Sequence, residues 1–318
     1  MPEHRYELVD VFTDRPFGGN PLAVFPDGRG LTDAAMQAIA RELNLSETTF
    51  VLPPADPAND FRVRIFTPAE ELPMAGHPTL GTAFVLAQAG RIALAQGRGS
   101  ARFEEGVGVI PVTLEPAGGG LTLVTMEQRP PVFGLDWEDR KGVAEALSAD
   151  EWMLHPSYPV QAVSCGIPFL IVPVRDLEAI RRLSPRRDLW AARLGPAGSL
   201  LAMAFTLQTS RPGITAHCRM FAPTLGVPED PATGSAAGPL GCYFVHHAIL
   251  PRPEDPAPEF RFEQGLELGR PSLLRATIRR QGARIDGVLV AGTCVPVGTG
   301  VLHAVPRPQQ PTHTALRR

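Results

Sequence analysis

The sequence predicts a mixed α/β (α+β) fold built from two similar halves. Segments with the alternating pattern of strands are interleaved along the chain with segments that have the composition of helices. The order strand, strand, long helix, strands occurs twice, and two short pieces recur about half a chain apart. Because chance rarely repeats two pieces in the same order, we infer a duplicated domain.

The first half begins with two predicted strands, YELVDVFT and LAVFP, joined by the turn-rich DRPFGGNP. A helix follows, with Thr32 and Asp33 as candidate caps and Asn44 as its stop. SETTFVLP and FRVRIFTP are typical of strands, and HPTLGTAFVLAQAG is typical of a helix that ends at Gly90. Two further strands, GVGVIPVTLEP and LTLVTMEQ, are separated by AGGG, the strongest hinge signal in the chain.

The second half opens with a short predicted helix at Val143 to Leu147. PVQAVSCGIPFLIVPV predicts two strands, and Asp176 to Leu183 a helix. LLAMAFTL and ITAHCRMFAP predict strands, DPATGSAAGPLGCYFVHHAIL a long helix, and three more strand patterns follow: FRFEQG, LLRATIRR and GVLVAGTCVPVGTGVLHAV.

Domain boundaries follow from this order. We predict an N-terminal domain over 1–117 and a C-terminal domain over 118–287, with a strand near 288–305 as a candidate to return to the first domain. The Pro-rich tail, 306–318, is expected to be disordered.

Composition narrows the function classes. The chain has 318 residues, 44% of them hydrophobic, and a formal charge of −3 without a dense Lys/Arg run, which argues against nucleic acid and membrane surfaces as partners. There is no secretory signal pattern and no apolar run of roughly 18 residues. The four cysteines are scattered, which favours reduced thiols and a cytoplasmic location.

The repeated pieces surround the best candidate site. RIFTP at Arg64 recurs as RMFAP at Arg219, and HPTLGTA at His77 recurs as DPATGSA at Asp230. Proline favours the first helical position, so Pro78 and its counterpart are expected to place His77 and Asp230 at helix N-caps. The residues behind them are small and leave backbone N–H groups open: Thr79, Gly81, Thr233, Gly234 and Ser235. Two such helix starts facing each other would hold a small anion between them.

Structural explanations compete with this interpretation. Aspartate is a good N-cap, so Asp230 has a structural explanation of equal weight. Histidine is a poor N-cap, so another role is expected to favour His77, and a helix N-terminus would keep it neutral near pH 7. From the residues alone Glu47, at the start of a strand, has the features of a surface charge. Asn20 lies in the turn FGGNP, where it could face a ligand.

Other site types have no motif in the chain. There is no HExxH or other paired-ligand spacing, and His246 and His247 are neighbours that cannot face one ion on a helix, so no metal site is predicted. The glycine patterns match neither of the nucleotide-binding motifs GxxxxGK(S/T) and GxGxxG. TGSAAG does not match the GxSxG motif of serine hydrolases. No cofactor is therefore predicted.

Four stretches together resemble the PhzF-like phenazine-biosynthesis family of the diaminopimelate epimerase-like superfamily: DVFTDRPFGGNPLAVF, NLSETTFVLP, RIFTPAEELPMAGHPTLGTA and CRMFAPTLGVPEDPATGSAAGPLG. The resemblance covers nearly the whole chain before the tail. It implies two similar domains, each with a curved, mostly antiparallel sheet around a central helix, and an active site in the cleft between them.

The resemblance also implies roles for individual residues. Glu47 becomes the proton-transferring acid/base, and His77, Asp230 and Ser235 line the substrate. Gly76 and Gly234 stand where epimerase relatives carry two catalytic cysteines. The expected catalytic residues are therefore Glu47, His77 and Asp230. The expected substrate-binding residues are Asn20, Gly76, Pro78, Thr79, Gly234 and Ser235.

The absent thiols decide between reactions of the related families. Two-base racemisation needs groups on opposite faces of one carbon, whereas a single carboxyl group can move a proton between two positions on one face. The resemblance therefore implies a cofactor-free isomerase acting on a small carboxylate-bearing substrate of the dihydro-3-hydroxyanthranilate type, in a homodimer by family habit. The alternatives are a non-catalytic small-anion binder and a cysteine-independent racemase or epimerase.

Overall fold

The computed structural model of the protein describes residues 3–249, 254–282 and 284–303. The tail expected to be disordered, 306–318, lies outside them. The α-helices in the described ranges are α1 Asp33–Leu43, α2 Gly76–Gln88, α3 Arg140–Ala146, α4 Leu177–Arg182, α5 Arg187–Leu194 and α6 Gly234–His246.

The strands follow the same repeated order as the sequence patterns. Those up to the middle of the chain are β1 His4–Val11, β2 Asn20–Phe25, β3 Glu47–Leu52, β4 Phe61–Phe66, β5 Glu71–Leu72, β6 Gly99–Glu105, β7 Gly108–Gly118, β8 Leu121–Gln128 and β9 Val132–Trp137. The remainder are β10 Val160–Ser164, β11 Pro168–Pro173, β12 Ala202–Thr206, β13 Ala216–Ala222, β14 Val227–Asp230, β15 Glu259–Gln264, β16 Ser272–Gln281 and β17 Arg284–Leu302.

The strands form two closed, barrel-like rings. In the first ring β1, β2, β3, β4, β6, β7 and β8 pair in that order, and β17 closes it between β8 and β1. In the second ring β9, β10, β11, β12, β13, β15, β16 and β17 pair in that order. The gap between β17 and β9 is closed by β8, which pairs with β17 and is followed in the chain by β9. Closure leaves few free sheet edges.

The pairing pattern confirms the duplicated fold. From β1 to β8 the successive pairs are antiparallel, parallel, antiparallel, parallel, antiparallel and antiparallel. The same series runs from β10 to β17. Because β8 and β17 each pair in both rings, the domain boundaries near residues 118 and 288 stay predictions.

Each ring surrounds one central helix, α2 or α6. All residues of α2 from Gly76 to Ala87 are buried, and so are nearly all of α6. A helix that is apolar on every side belongs in a core. Thr49 on β3 and Thr82 on α2 share a buried hydrogen bond of 2.8 Å between hydroxyls, which fixes the helix against its sheet.

An arginine–glutamate pair recurs at the strand before each central helix. Arg64 donates two hydrogen bonds to Glu71, at 2.7 and 2.6 Å, and Arg219 donates two to Glu229, at 2.8 and 2.6 Å. Bidentate pairs of this kind combine strength with a fixed orientation. They tie β5 to β4 and β14 to β13, and so fix where each chain segment enters its helix.

The expectation that His77 and Asp230 are N-caps is wrong. α2 begins two residues earlier than expected, with Ala75 as its N-cap and Pro78 at its third position. The first N–H groups of a helix have no intrahelical acceptor, so proline fits there as well as at the first position. α6 begins at Gly234 with Thr233 as its N-cap, because Asp230 is still paired in β14. By contrast, Thr32 and Asn44 do cap α1.

The two central helices begin against each other. A Cβ atom added to Gly76 would lie 2.4 Å from the backbone nitrogen of Ser235, and one added to Gly234 would lie 2.6 Å from Cζ of Phe12. Distances this short leave room only for glycine. Within the described residues, no helix is long and apolar enough to cross a membrane.

We predict that Gly76→Ala lowers the free energy of unfolding by about 1 to 3 kcal/mol, because the added methyl group would force the two helix starts apart. Urea denaturation measures the change. Gly298→Ala is the control, since a Cβ there meets no atom within 4 Å. Equal stability of Gly76→Ala and the control would contradict the close approach.

Candidate active site

A cavity of about 370 Å³ lies where α2 and α6 begin. Its size is in the range of pockets that enclose small molecules. Both halves contribute, and six of the residues expected at the site line it: Glu47, Gly76, His77, Asp230, Gly234 and Ser235. The rest of the wall is largely apolar and includes Leu72, Met74, Ile167, Phe169, Leu201 and Met220.

Glu47 is the first residue of β3 and follows the turn that ends α1. Its backbone lies beside Leu22 in the parallel pairing of β2 with β3. The side chain is only 15% exposed, and its Oε2 atom has no hydrogen-bond partner among the described residues. Burial, and then the carboxylate of Asp230, raise the pKa of Glu47 well above its ordinary value. Glu47 can therefore hold a proton near neutral pH.

His77 lies in the first turn of α2 with its ring between Glu47 and Asn20. The amide nitrogen of Asn20 lies 3.1 Å from Nδ1, and because an amide NH2 only donates, Nδ1 must accept. This assigns the ring proton to Nε2, which lies 3.3 Å from Oε2 of Glu47 without the alignment of a hydrogen bond. Burial lowers the pKa of His77 to about 3, so the imidazole is neutral.

Asn20 connects the two halves, although it does not line the cavity. Besides His77, its amide nitrogen contacts Oδ1 of Asp230 at 2.8 Å and the carbonyl oxygen of Ala232 at 3.0 Å. Two hydrogens serve three acceptors, so one hydrogen is shared. If the amide were turned over, its oxygen would face the oxygens of Asp230 and Ala232, which fixes the orientation.

The loop before Asn20 is held by Arg270 from the second half. Its guanidinium donates to the carbonyl oxygens of Gly18 and Gly19 at 2.7 and 2.8 Å, and to Oδ1 of Asp10 at 2.6 Å. The turn that looked like a simple connection in the sequence is therefore a fixed support for Asn20.

Asp230 ends β14 with both carboxylate oxygens engaged. Oδ1 accepts from Asn20, and Oδ2 accepts from the hydroxyl of Thr233 at 2.5 Å. Gln264 donates to Oγ1 of Thr233 and to the backbone oxygen of Asp230. Burial raises the pKa of Asp230, although the bonds from Thr233 and Asn20 oppose it. A carboxyl group bonded on both oxygens is suited to positioning its neighbours.

Three expected binding residues do not line the cavity: Asn20, described above, Pro78 and Thr79. Pro78 lies behind His77 on α2, and the Thr79 hydroxyl contacts the backbone oxygen of Ala75 and the carboxyl group of Glu105. The helix turn directs both side chains away from the cleft. Sequence reasoning gave no role to Gln264 and no side-chain role to Thr233, because their importance depends on a contact across more than thirty residues.

The cavity contains carboxyl groups but no cationic side chain among its described lining residues. Glu47, Glu70 and Asp230 line it, whereas no Lys or Arg does. No cysteine lines it either. Neither helix N-cap offers a side-chain hydrogen bond, so the first N–H groups of α2 and α6 remain open donors. An anion in this cavity would have to be held mainly by backbone groups and Ser235.

Comparison with known proteins places this geometry in a family. The family model described as phenazine biosynthesis-like protein matches residues 9–300. The trans-2,3-dihydro-3-hydroxyanthranilate isomerase of Pseudomonas aeruginosa is 37% identical over 289 residues, which cover 91% of this chain and 95% of the relative.

Solved structures agree with the assignment. The chain resembles the crystal structure of the Bacillus anthracis phenazine biosynthesis protein of the PhzF family, with a TM-score of 0.86, 28% identity and coverage of 95% of this chain and 99% of that one. A hydroxyproline epimerase from Agrobacterium vitis, 12% identical over 94% of this chain and 92% of its own, has a TM-score of 0.65 and shows the epimerase-like fold alone. The chain is therefore an isomerase that belongs to the PhzF-like phenazine biosynthesis family.

Proposed function

We propose that the protein moves a proton between two positions of one small carboxylate-bearing molecule, with Glu47 as the group that carries it. The supporting observation is the state of Glu47, a nearly buried carboxyl group with a raised pKa and an unpartnered oxygen in the cavity. A group with a pKa near the working pH both removes and returns a proton efficiently.

In the proposed reaction the carboxylate of Glu47 takes a proton from one carbon of the substrate. The electron pair left behind is delocalised through the adjacent double bond, and Glu47 then returns the same proton to a second carbon. The substrate loses and regains one proton, so the product is an isomer. The neutral Nε2–H of His77 has no partner among the described residues and is available to donate a hydrogen bond to the reacting region.

A two-base reaction has less support at this site. Asp230 is the other carboxyl group of the cavity with a raised pKa, but both of its oxygens accept hydrogen bonds within the protein. The free cysteines are Cys165, Cys218, Cys242 and Cys294, and none of them lines the cavity. This leaves Glu47 as the proton carrier and Asp230, through Asn20, as a positioning group for His77.

The substrate class follows from the cavity wall. Apolar side chains such as Ile167, Phe169 and Met220 suit a carbon ring, and the open N–H groups of the two helix starts suit one carboxylate. A dihydro-3-hydroxyanthranilate-like molecule combines these features, and the P. aeruginosa relative is named for such a substrate. A homodimer and a cytoplasmic location complete the proposal.

We predict that Glu47→Gln loses at least about a thousandfold in turnover and still binds ligand, because glutamine keeps the shape of the side chain but cannot carry a proton. The test incubates trans-2,3-dihydro-3-hydroxyanthranilate with the protein and follows its conversion to product by NMR. Glu42→Gln, an exposed change on α1, is the control. Full activity of Glu47→Gln would refute the role of Glu47.

We predict that the His77 ring stays neutral, with its proton on Nε2, from pH 5 to pH 8. Burial has lowered its pKa to about 3, so acidification to pH 5 should not charge it. Nitrogen-15 NMR of the imidazole measures both protonation and tautomer, and His77→Gln identifies the signal. Titration of His77 near pH 6.5, or a proton on Nδ1, would contradict the arrangement with Asn20.

A further inference from the structure

Glu105 is a buried carboxyl group that the proposed reaction does not use. It ends β6, is 8% exposed, and lies against the first turn of α2 rather than in the cavity. Its Oε1 atom lies 2.6 Å from the hydroxyl oxygen of Thr79, and its Oε2 atom has no hydrogen-bond partner among the described residues.

The hydroxyl of Thr79 has a second neighbour, and its single hydrogen cannot serve both. Its oxygen also lies 2.7 Å from the carbonyl oxygen of Ala75, the N-cap of α2. A hydroxyl group has one hydrogen, and a carbonyl oxygen can only accept. If that hydrogen is donated to Ala75, the 2.6 Å contact with Glu105 requires a hydrogen on the carboxyl group.

We propose that Glu105 is a protonated carboxylic acid at neutral pH, which donates to Thr79 and thereby positions the first turn of α2. The chain of bonds runs from Glu105 through Thr79 to the carbonyl group of Ala75. Ala75 is followed directly in the chain by Gly76 and His77, which line the cavity. Glu105 is thus a positioning residue, and its effect on activity rests on the function proposed above.

The surroundings of Glu105 are consistent with a neutral group. Burial raises the pKa of Glu105 to about 8. No charged neighbour contributes to this shift. The charged or titratable groups on the elements around it are His77 on α2, Arg62 and Arg64 on β4, Arg102 and Glu104 on β6, Glu115 on β7 and Arg129 after β8.

The first test is the protonation state itself. Carbon-13 NMR of protein labelled at the glutamate carboxyl carbon follows each group with pH, and Glu105→Gln identifies the signal of Glu105. We expect a protonated group up to pH 7 that ionises near pH 8. A signal that is already ionised at pH 6 would overturn the proposal, whatever the activity of the protein.

The second test uses stability. Because the folded state keeps a proton that the unfolded chain loses above about pH 4.5, raising the pH favours unfolding until Glu105 ionises. Between pH 5 and pH 7.5 the folded-to-unfolded ratio of the wild type should fall, relative to Glu105→Gln, by up to about tenfold per pH unit. Glu42→Gln, an exposed change on α1, should leave the slope unchanged. Parallel curves for wild type and Glu105→Gln would overturn the proposal.

The third test links the group to the active site. With trans-2,3-dihydro-3-hydroxyanthranilate, kcat/KM of the wild type should fall above about pH 8, and Glu105→Gln, whose amide still donates to Thr79, should not show this fall. Thr79→Val should lose about tenfold or more in kcat, whereas Thr79→Ser should retain activity. Identical pH profiles of wild type and Glu105→Gln would overturn the positioning role. If neither the wild type nor any variant turns over this compound, the proposed function fails, and the NMR and stability tests still decide the protonation state of Glu105.

Discussion

The contact between the starts of α2 and α6 is the constraint on which the site depends. Gly76 and Gly234 approach so closely that a methyl group on Gly76 would collide with the backbone of the opposite helix. This contact brings together His77 from one half and Asp230 from the other, and it leaves the first N–H groups of both helices open beside one cavity. Where glycines pack in this way, thiol side chains have no room, so the contact that joins the halves also excludes cysteine from both positions.

The environment of that cavity sets the chemistry. Three carboxyl groups and no cationic side chain line the described wall. Burial raises the pKa of Glu47 and of Asp230, and the charge of Asp230 adds to the rise at Glu47. Asn20 acts on two of the site residues. Its amide group fixes the tautomer of His77 and donates a hydrogen bond to the carboxylate of Asp230. Glu47 is left as a buried carboxyl of the cavity with an oxygen that has no partner among the described residues. The same principle, a buried acid kept neutral, recurs behind α2 at Glu105.

Much of this could be predicted from the sequence, and the failures have physical causes. The duplication is visible in the sequence because the same kind of segment precedes each central helix. The repeated Arg64 and Arg219 belong to matching ion pairs that hold this segment in place. Glu47 looked like a surface charge until the family resemblance was considered, since its burial comes from strands and helices distant in sequence. The N-cap of α2 differs from the prediction because proline is tolerated throughout a first helical turn, and that of α6 differs because Asp230 still pairs in β14. The support of Asn20 by Arg270, 250 residues away, leaves no local signal.

The central claim is that one carboxyl group carries the proton between two carbons. A substrate labelled with deuterium at the carbon that loses its proton, turned over once in ordinary water, tests this most directly. NMR then locates the label in the product. The account predicts that part of the deuterium is retained at the second carbon, on the same face of the molecule. Complete loss of the label, with solvent hydrogen on the opposite face, would show that two bases act and would contradict it.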